Sequence, residues 1–511
     1  MARKFALLAI LAAGNWLAAG QTAPSTPTTG QDPQNTSQPG PVDPDAIQAG
    51  ESAQNHPAGN QPDQSAEQDA SGEVRVAPAA ALSARAGLES GEDTNLELPQ
   101  LPSLLGGRGT TLAFPAEIER SNFVRGGVNV GAAYDDNPLL EPSQPVGNVS
   151  GSVFPSLSIE EKTSRTSWLL GYAGGLTVNQ RFTSQDQGSH DLNFDSLFRL
   201  SRHVNLRVAE NFLMTTGVFD AGAGGPETGG AGAPNASLLV PLATERSSLT
   251  TVETNYHFAL NDLVGASGSF YDLRFSNLPA GEQLSDLQTA SETGFWLHRF
   301  FPGNWGGASY RFQRMTYDPN GEARVQDFLA VDTLELPNHI SLNGFVGPEY
   351  TVTQGVMPGG TAFTQSNQWS VAGGAGAGWR DAKTSLSAGY SRMTSDGAGV
   401  LGAVRLQSVN AALRREIWKG WAGKATVSRG TNHSLTVPYA GSASSINLTS
   451  AGAGLERNMV KGLGLQLSYT HDFEQLLEPS GSPTPTLQWL NANRNRFAVM
   501  LSYQWSKPIG M

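Results

Sequence analysis

Along most of this chain every second side chain is apolar, and the positions between are small or polar. Trp168, Leu170, Tyr172, Leu176 and Val178 share one parity, against Gly171, Ala173, Gly175, Thr177 and Asn179. Leu192, Phe194 and Phe198 alternate with Asn193, Asp195 and Arg199, and Val252, Tyr256 and Phe258 with Glu253, Asn255 and His257. Successive side chains of a strand point to opposite faces, so a period of two sustained for about ten residues predicts a strand with one apolar face. The last stretch, RNRFAVMLSYQW, keeps the pattern to its end, with Phe497, Val499, Leu501, Tyr503 and Trp505 on the apolar parity. Eighteen such segments are expected, the first at 123–134 and the last at 492–505, and sixteen is the alternative even count.

The links between segments alternate in length. Tight turns fall near Thr163, Arg202, Asp262, Gly303, Asn338, Asp381, Lys419 and Lys461. Between them come longer Gly-rich or polar links, among them VFDAGAGGPETGGAGAPNAS, SNLPAGEQLSD, SDGAGVLG and TNHSLTVPYAGSA. A transmembrane barrel has short periplasmic turns and longer external loops, and strands running up and down must alternate them. The expected fold is therefore all-β, a transmembrane antiparallel up-and-down β-barrel over residues 120–511. Tyr503 and Trp505 are expected in the aromatic girdle at the periplasmic interface, with Phe301, Trp305, Trp418 and Trp421 also at strand ends.

Composition agrees with a wall polar on one side. Hydrophobic residues make up 39% of the 511, Gly numbers 59 and Cys 0, and the mean hydropathy is −0.28. No disulfide or cysteine-borne lipid anchor is available. The first twenty residues, with Arg3 and Lys4 before an apolar run closing on Ala18, Ala19 and Gly20, read as a secretory signal peptide. Residues 21–115 are rich in Pro, Gln, Ser and Thr and too poor in apolar residues to form a core, so they are expected to be a disordered periplasmic tail. Most of the formal net charge of −12 lies in that tail, which leaves the remainder near balance and removes any case for nucleic-acid binding. The tail reads as a spacer, or as a tether to peptidoglycan or a periplasmic partner.

The segment VNVGAAYDDNPLLE, with SVFPSLSIEEKTSRTSWLLGY after it, resembles a family of outer-membrane β-barrel porins, some encoded beside exopolysaccharide biosynthesis genes. The matching residues are Tyr134, Asp135, Asp136, Asn137 and Pro138, at the expected tip of the first hairpin, and Phe154, Pro155, Ser156 and Leu157 in the second strand. The resemblance implies a barrel in the outer membrane of a Gram-negative-type bacterium, with polysaccharide export among its candidate tasks.

No catalytic, cofactor or metal site is expected. Asp135 and Asp136 supply few of the six to eight oxygens a Ca²⁺ ion takes, and read as Asx-type turn residues. Glu253 and His257 lie about 13 Å apart along one strand face, too far to share an ion. No G-x-S-x-G elbow is present. The GGAGAG run at Gly373–Gly378 lacks a Gly-Lys-Ser/Thr ending, so its glycines are expected to bend the wall or leave lumen space. Asn179, Arg181, Asp195, Arg199, Asn205 and Arg207 fall on the non-lipid parity of three successive strands, and with Glu253 and His257 are the candidate lumen lining. Outer-membrane lipid and a polar solute or polysaccharide are the implied partners. Two functions compete: a passive pore, with charges such as Arg181 and Arg199 and the link near Gly222 to Ala236 setting its selectivity, and a non-conducting scaffold or anchor for an envelope assembly.

Overall fold

A computed structural model describes residues 122–509, apart from 141–143, 184–185, 217–243, 277–283, 319–320, 338, 357–362, 398–401, 436–444, 461 and 478–491. The expected signal peptide and acidic tail, and the link near Gly222 to Ala236, lie outside the described residues. These form β1 (Asn122–Asp135), β2 (Asn148–Lys162), β3 (Thr166–Asn179), β4 (Gln187–Arg199), β5 (Val204–Thr216) and β6 (Thr244–His257). There follow β7 (Asp262–Ser276), β8 (Leu287–Phe301), β9 (Asn304–Tyr317), β10 (Gly321–Leu336), β11 (Ile340–Val356) and β12 (Phe363–Arg380). The series ends with β13 (Thr384–Ser395), β14 (Val404–Trp418), β15 (Trp421–Ser434), β16 (Ser445–Val460), β17 (Leu463–Leu477) and β18 (Asn493–Pro508).

Every strand pairs antiparallel with its neighbours in the chain, and β1 pairs with both β2 and β18, so the 18-stranded sheet closes on itself. The closing register runs from Phe123↔Pro508 to Asp135↔Arg496. Closure removes the two open edges that a flat sheet would present to other chains.

Opposed residues on paired strands share a face, so the register carries the apolar parity from strand to strand. Val130 lies opposite Leu501 and Val153, Leu501 opposite Leu465, and Tyr310 opposite Phe328. This parity faces outward: Val130, Val153, Leu176, Phe328, Val371, Val427, Val499 and Leu501 are all exposed there. Phe497, Val499, Leu501, Tyr503 and Trp505 lie on that outer face too. No helix among the described residues is long and apolar enough to cross a membrane.

All the short turns stand at the end where β1 starts and β18 finishes, and where Ile509 N donates to Asn122 O at 2.8 Å. Three of these turns share one construction. Gly303, Gly420 and Gly462 have φ of 87°, 76° and 76°, and the register slips beside each, at Arg299/Phe301, Glu416/Trp418 and Asn458/Val460. A left-handed glycine with an adjacent bulge is how a short hairpin loop matches the twist of its strands.

Two prolines stand inside strands, and each costs ladder on one side only. Pro155 opposes Val128, while the β2–β3 register breaks between Val153↔Leu176 and Ser156↔Ala173. Pro348 opposes Val371, and the β10–β11 register breaks between Asp327↔Glu349 and Ala330↔Val346. Proline has no N–H to give, so each turns that deficit toward one neighbour.

Candidate functional site: the barrel interior

The inner face has two unlike sides. From β15 through β18 and on through β1 to β6 it carries mainly small and polar residues, as the alternation predicted, with Ile446 and Leu448 on β16 the buried apolar exceptions. Arg207 on β5 donates to Asp195 on β4 through Nε at 3.0 Å and Nη2 at 2.6 Å, a bidentate pair about a quarter exposed. Glu253 on β6 stands opposite Arg207 and accepts from Asn255 Nδ2 at 2.8 Å. Asn179 is buried at the far end of β3, where Asn148 Nδ2 donates to its side-chain oxygen at 2.8 Å. Asn205 and Arg199 oppose each other at the short-turn end, and His257 lies on the inward parity of β6. Glu160 pairs with Arg125 at 3.0 Å and also with Lys162, and Glu456 pairs with Arg414 and Lys424. Most of these charges are thus neutralised within the wall, which leaves a mixed, low-net-charge lining.

Arg181 departs from expectation. β3 stops at Asn179, and Arg181 lies beyond it, exposed at the long-link rim. Its backbone N donates to Asn148 Oδ1 at 3.1 Å and its Nη1 to Gly147 O at 3.0 Å. The chain has already turned there, because Gln180 N is taken by Val149 O and Asn179 N by Asp186 Oδ1.

The opposite side of the interior, along β7 to β11, carries two apolar clusters with buried hydroxyl groups such as Thr289, Ser291, Thr293 and Ser309 among them, contrary to the all-polar lumen expected. Leu263, Phe295, Leu297, Trp305, Leu329, Val331 and Phe345 are buried inward in one cluster with Ala372 and Met393. Trp305 therefore points into the barrel, and only its position at a strand end agrees with the girdle expected of it. Leu273, Leu287, Met315, Tyr317, Ala323 and Val325 form a second cluster with Ala403. One ion pair is sunk in this wall: Arg311 Nε donates to Asp327 Oδ2 at 2.6 Å, both side chains being almost fully buried.

Ala403 explains what covers part of this wall. It belongs to the β13–β14 connection, yet it packs with inward residues of β7 to β10, three to six strands away around the sheet. That contact is possible only across the interior. The SDGAGVLG link, expected outside, therefore folds inward over its described residues. Its flanks Met393, Ala403, Val404 and Leu406 are buried and apolar, so they gain by leaving water for the apolar wall. Asp396 lies in the same place, within electrostatic reach of Glu245, Tyr271 and Tyr317.

The hairpin is held at its base by Glu349 on β11, which is 1% exposed. Its carboxylate accepts from Ser370 Oγ at 2.6 Å, Thr394 N at 2.7 Å and Thr394 Oγ1 at 2.8 Å. Since β12 separates β11 from β13 in the sheet, Thr394 reaches Glu349 by passing over β12 on its inner side. Beside it, Phe345 leans on Gly374, where a Cβ would collide with the ring. That glycine of the GGAGAG run is a seat for an aromatic side chain.

Of the residues that carried the family resemblance, Asp135, Asp136 and Asn137 meet the last strand at the seam, while Phe154, Pro155, Ser156 and Leu157 lie within β2. Asp135 Oδ2 accepts from Arg494 Nε at 2.7 Å, and Asp135 Oδ1 from Asn137 N at 3.0 Å, the expected Asx-type turn. Asp136 accepts from Asn495 N and Nδ2, both at 2.6 Å, and Asn137 Nδ2 donates to Asn493 O at 3.0 Å. Tyr134 faces outward, Pro138 is buried, and the cluster clasps the first strand to the last. Among the described residues no three His, Cys, Asp or Glu side chains are placed to hold a metal ion.

Three solved structures resemble the chain at low identity. One is the ferric citrate transporter FecA, with 9% identity, 71% of this chain and 61% of that chain covered, and a TM-score of 0.42. For OpdL of Pseudomonas aeruginosa the figures are 11%, 75%, 99% and 0.38, and for OccK2 of the same organism 8%, 75%, 98% and 0.40. The chain thus spans about three fifths of FecA and nearly all of the other two. No protein-family model and no curated protein matches the sequence. Likeness at this level carries nothing about solute or partner.

Sequence reasoning missed the apolar inner wall, although a signal was present. In Phe295-Trp296-Leu297 and Phe328-Leu329-Ala330-Val331 the alternation gives way to continuous apolar runs. Such runs mark strands covered on both faces.

Proposed function

We propose that this protein is an outer-membrane channel that passes polar solutes along the polar side of its interior, beside an inward hairpin that narrows it. The observation that carries the reading is a closed antiparallel wall whose outward parity exposes apolar side chains on nearly every strand of the circuit. Only a closed barrel satisfies every backbone group inside hydrocarbon without a helix, and lipid is the surrounding that suits such an outer face. The long links face outside and both termini the periplasm, because short turns belong to the periplasmic end. Hydroxyl, amide and paired carboxylate groups along β15 to β6 offer hydrogen bonds without a strong field, which suits saccharides and other neutral polar solutes. Export of an exopolysaccharide belongs to this reading as its most specific form. The reading is non-enzymatic.

The test is reconstitution of the full chain in planar bilayers and in liposomes. Stepwise ion conductance, with liposome swelling in oligosaccharide solutions, is expected. A folded, inserted barrel that passes neither ions nor sugars refutes the channel.

A second reading, a non-conducting anchor for an envelope assembly, is favoured by one observation, the hairpin docked across the interior. Under it, deleting residues 21–110 abolishes capture of a periplasmic partner or peptidoglycan, and no conductance appears in either form.

A further inference from the structure

The outer face of the barrel carries two pairs of directly opposed arginines at its long-link end. Arg246 on β6 stands opposite Arg274 on β7, and Arg314 on β9 opposite Arg324 on β10. All four lie on the outward parity, with Asp272, Gln288, Thr316 and Glu322 beside them. Like charges opposed across a ladder destabilise it, so such pairs ask for an anion. The protein supplies three carboxylates, which meet three of the four guanidinium groups. Asp272 and Asp286 hold Arg274 at 3.0 and 3.2 Å, and Glu322 is shared by Arg314 and Arg324. Arg246 stacks on the Phe212 ring at 5.5 Å and has no ion pair among the described residues. Arg274, Arg314 and Arg324 keep 44%, 53% and 48% of their side-chain surface exposed.

Their height on the wall says what meets them. A hydrocarbon band about 25 Å tall, crossed by strands tilted about 40° and rising about 3.3 Å per residue, takes up about ten residues of each strand. Counted from the short turns, that span ends near Ser247 in β6, Asp272 in β7, Arg314 in β9 and Gln326 in β10. Arg246, Arg274 and Arg324 lie just past it and Arg314 at its limit, where phosphates of the outer leaflet stand. Below them are the ring pairs Tyr310–Phe328 and Tyr350–Trp369, with centroids 4.7 and 4.8 Å apart. Beside them is an open groove of about 440 Å³ whose lining includes Arg274, Gln288, Thr316, Asp318, Glu322 and Gln354. Its amide and hydroxyl groups suit the sugar part of a headgroup.

We propose that this patch binds the phosphates of a phosphorylated glycolipid in the outer leaflet, through the guanidinium group of Arg246 and the Arg314–Arg324 pair, which shares the single carboxylate of Glu322. The inference rests on the outer-membrane reading above but not on conduction. Guanidinium groups take phosphate bidentately, and a site at the hydrocarbon limit excludes part of the competing water.

The experiment is native mass spectrometry of the full chain, folded in neutral detergent and mixed with bis-phosphorylated lipid A or with its dephosphorylated form. Wild type is expected to retain the phosphorylated lipid, and the triple variant R246Q/R314Q/R324Q to retain about tenfold less. R246K/R314K/R324K is expected to recover part of the loss, because charge without the planar fork remains. Heat-modifiable migration on gels checks that each variant is folded. Equal retention by wild type and the glutamine variant, or equal retention of the dephosphorylated lipid, overturns the proposal. Displacement of the lipid by millimolar inorganic phosphate also overturns it, since the site is then one for free anion. Retained lipid in a barrel that never conducts removes the channel and leaves this site standing.

Discussion

Glu349 decides whether the interior hairpin stays docked, and Glu349→Ala tests that directly. Of the three bonds its carboxylate accepts, two come from Thr394 and so tie the β13–β14 hairpin to the wall. Hydrogen bonds to a charged group contribute about 1.5–3 kcal/mol each, so the pair is worth about 3 kcal/mol at its lower bound. At about 1.4 kcal/mol per factor of ten, that shifts the docked-to-undocked ratio by roughly a hundredfold. Glu349→Gln keeps an acceptor but no charge, and is expected to lie between wild type and Ala. Two readouts are needed. In planar bilayers the alanine variant is expected to show larger or noisier unitary conductance. Because the chain has no cysteine, Ala403→Cys is a clean reporter, its thiol unreactive toward a water-soluble reagent in the wild-type background and reactive beside Glu349→Ala. Unchanged conductance together with an unreactive reporter thiol in the alanine background would show that the apolar wall alone retains the hairpin, and the latch reasoning fails.

Other perturbations test the wall, the lining and a turn. Arg494→Ala leaves Asp135 buried without its cation, 359 residues away in sequence. Breaking such a pair costs about 3–5 kcal/mol, so the urea midpoint of the folded, heat-modifiable form drops, and a variant as stable as wild type denies the clasp its role. Arg207→Gln leaves Asp195 and Glu253 uncompensated on the polar side. One charge about 4 Å away is worth about 1 kcal/mol in water, so reversal potentials should move toward cation selectivity by up to roughly fivefold, and an unmoved potential places the conduction path elsewhere. His339 has φ of 58° in the β10–β11 turn. A β-branched residue is strained there, so His339→Val is expected to lose about 1–2 kcal/mol while His339→Gly loses none, and equal midpoints for the two contradict the strain argument.

The fold was legible because each barrel strand reports its surroundings locally. Apolar side chains outside and polar groups over much of the inside write a period of two, and short turns alternating with long links announce the up-and-down path. The candidate lining was legible for the same reason: parity alone placed Asp195, Arg207, Glu253 and His257 on the inner face. What parity cannot express is a partner arriving from across the barrel. Ala403 meets Met315 and Val325 through a fold of the chain that leaves no periodic trace, and Glu349 looks like any inward polar residue until Thr394 passes over β12. Arg181 was misplaced by two residues because the alternation runs on past Asn179, while the backbone bonds that end β3 are made by Val149 and Asp186. Asp135 makes the expected Asx-type turn bond while Asp136 does not, and their bonds to Arg494 and Asn495 depend on which strand completes the circle.

That clasp bears on how the molecule is assembled. Asp135 and Asp136 leave the ribosome 359 residues ahead of the Arg494 and Asn495 they grip. Until then the sheet is an unfinished ribbon with two hungry margins and a greasy outer surface. A message cut short by even one hairpin yields a product that cannot shut, and the cell has reason to destroy it.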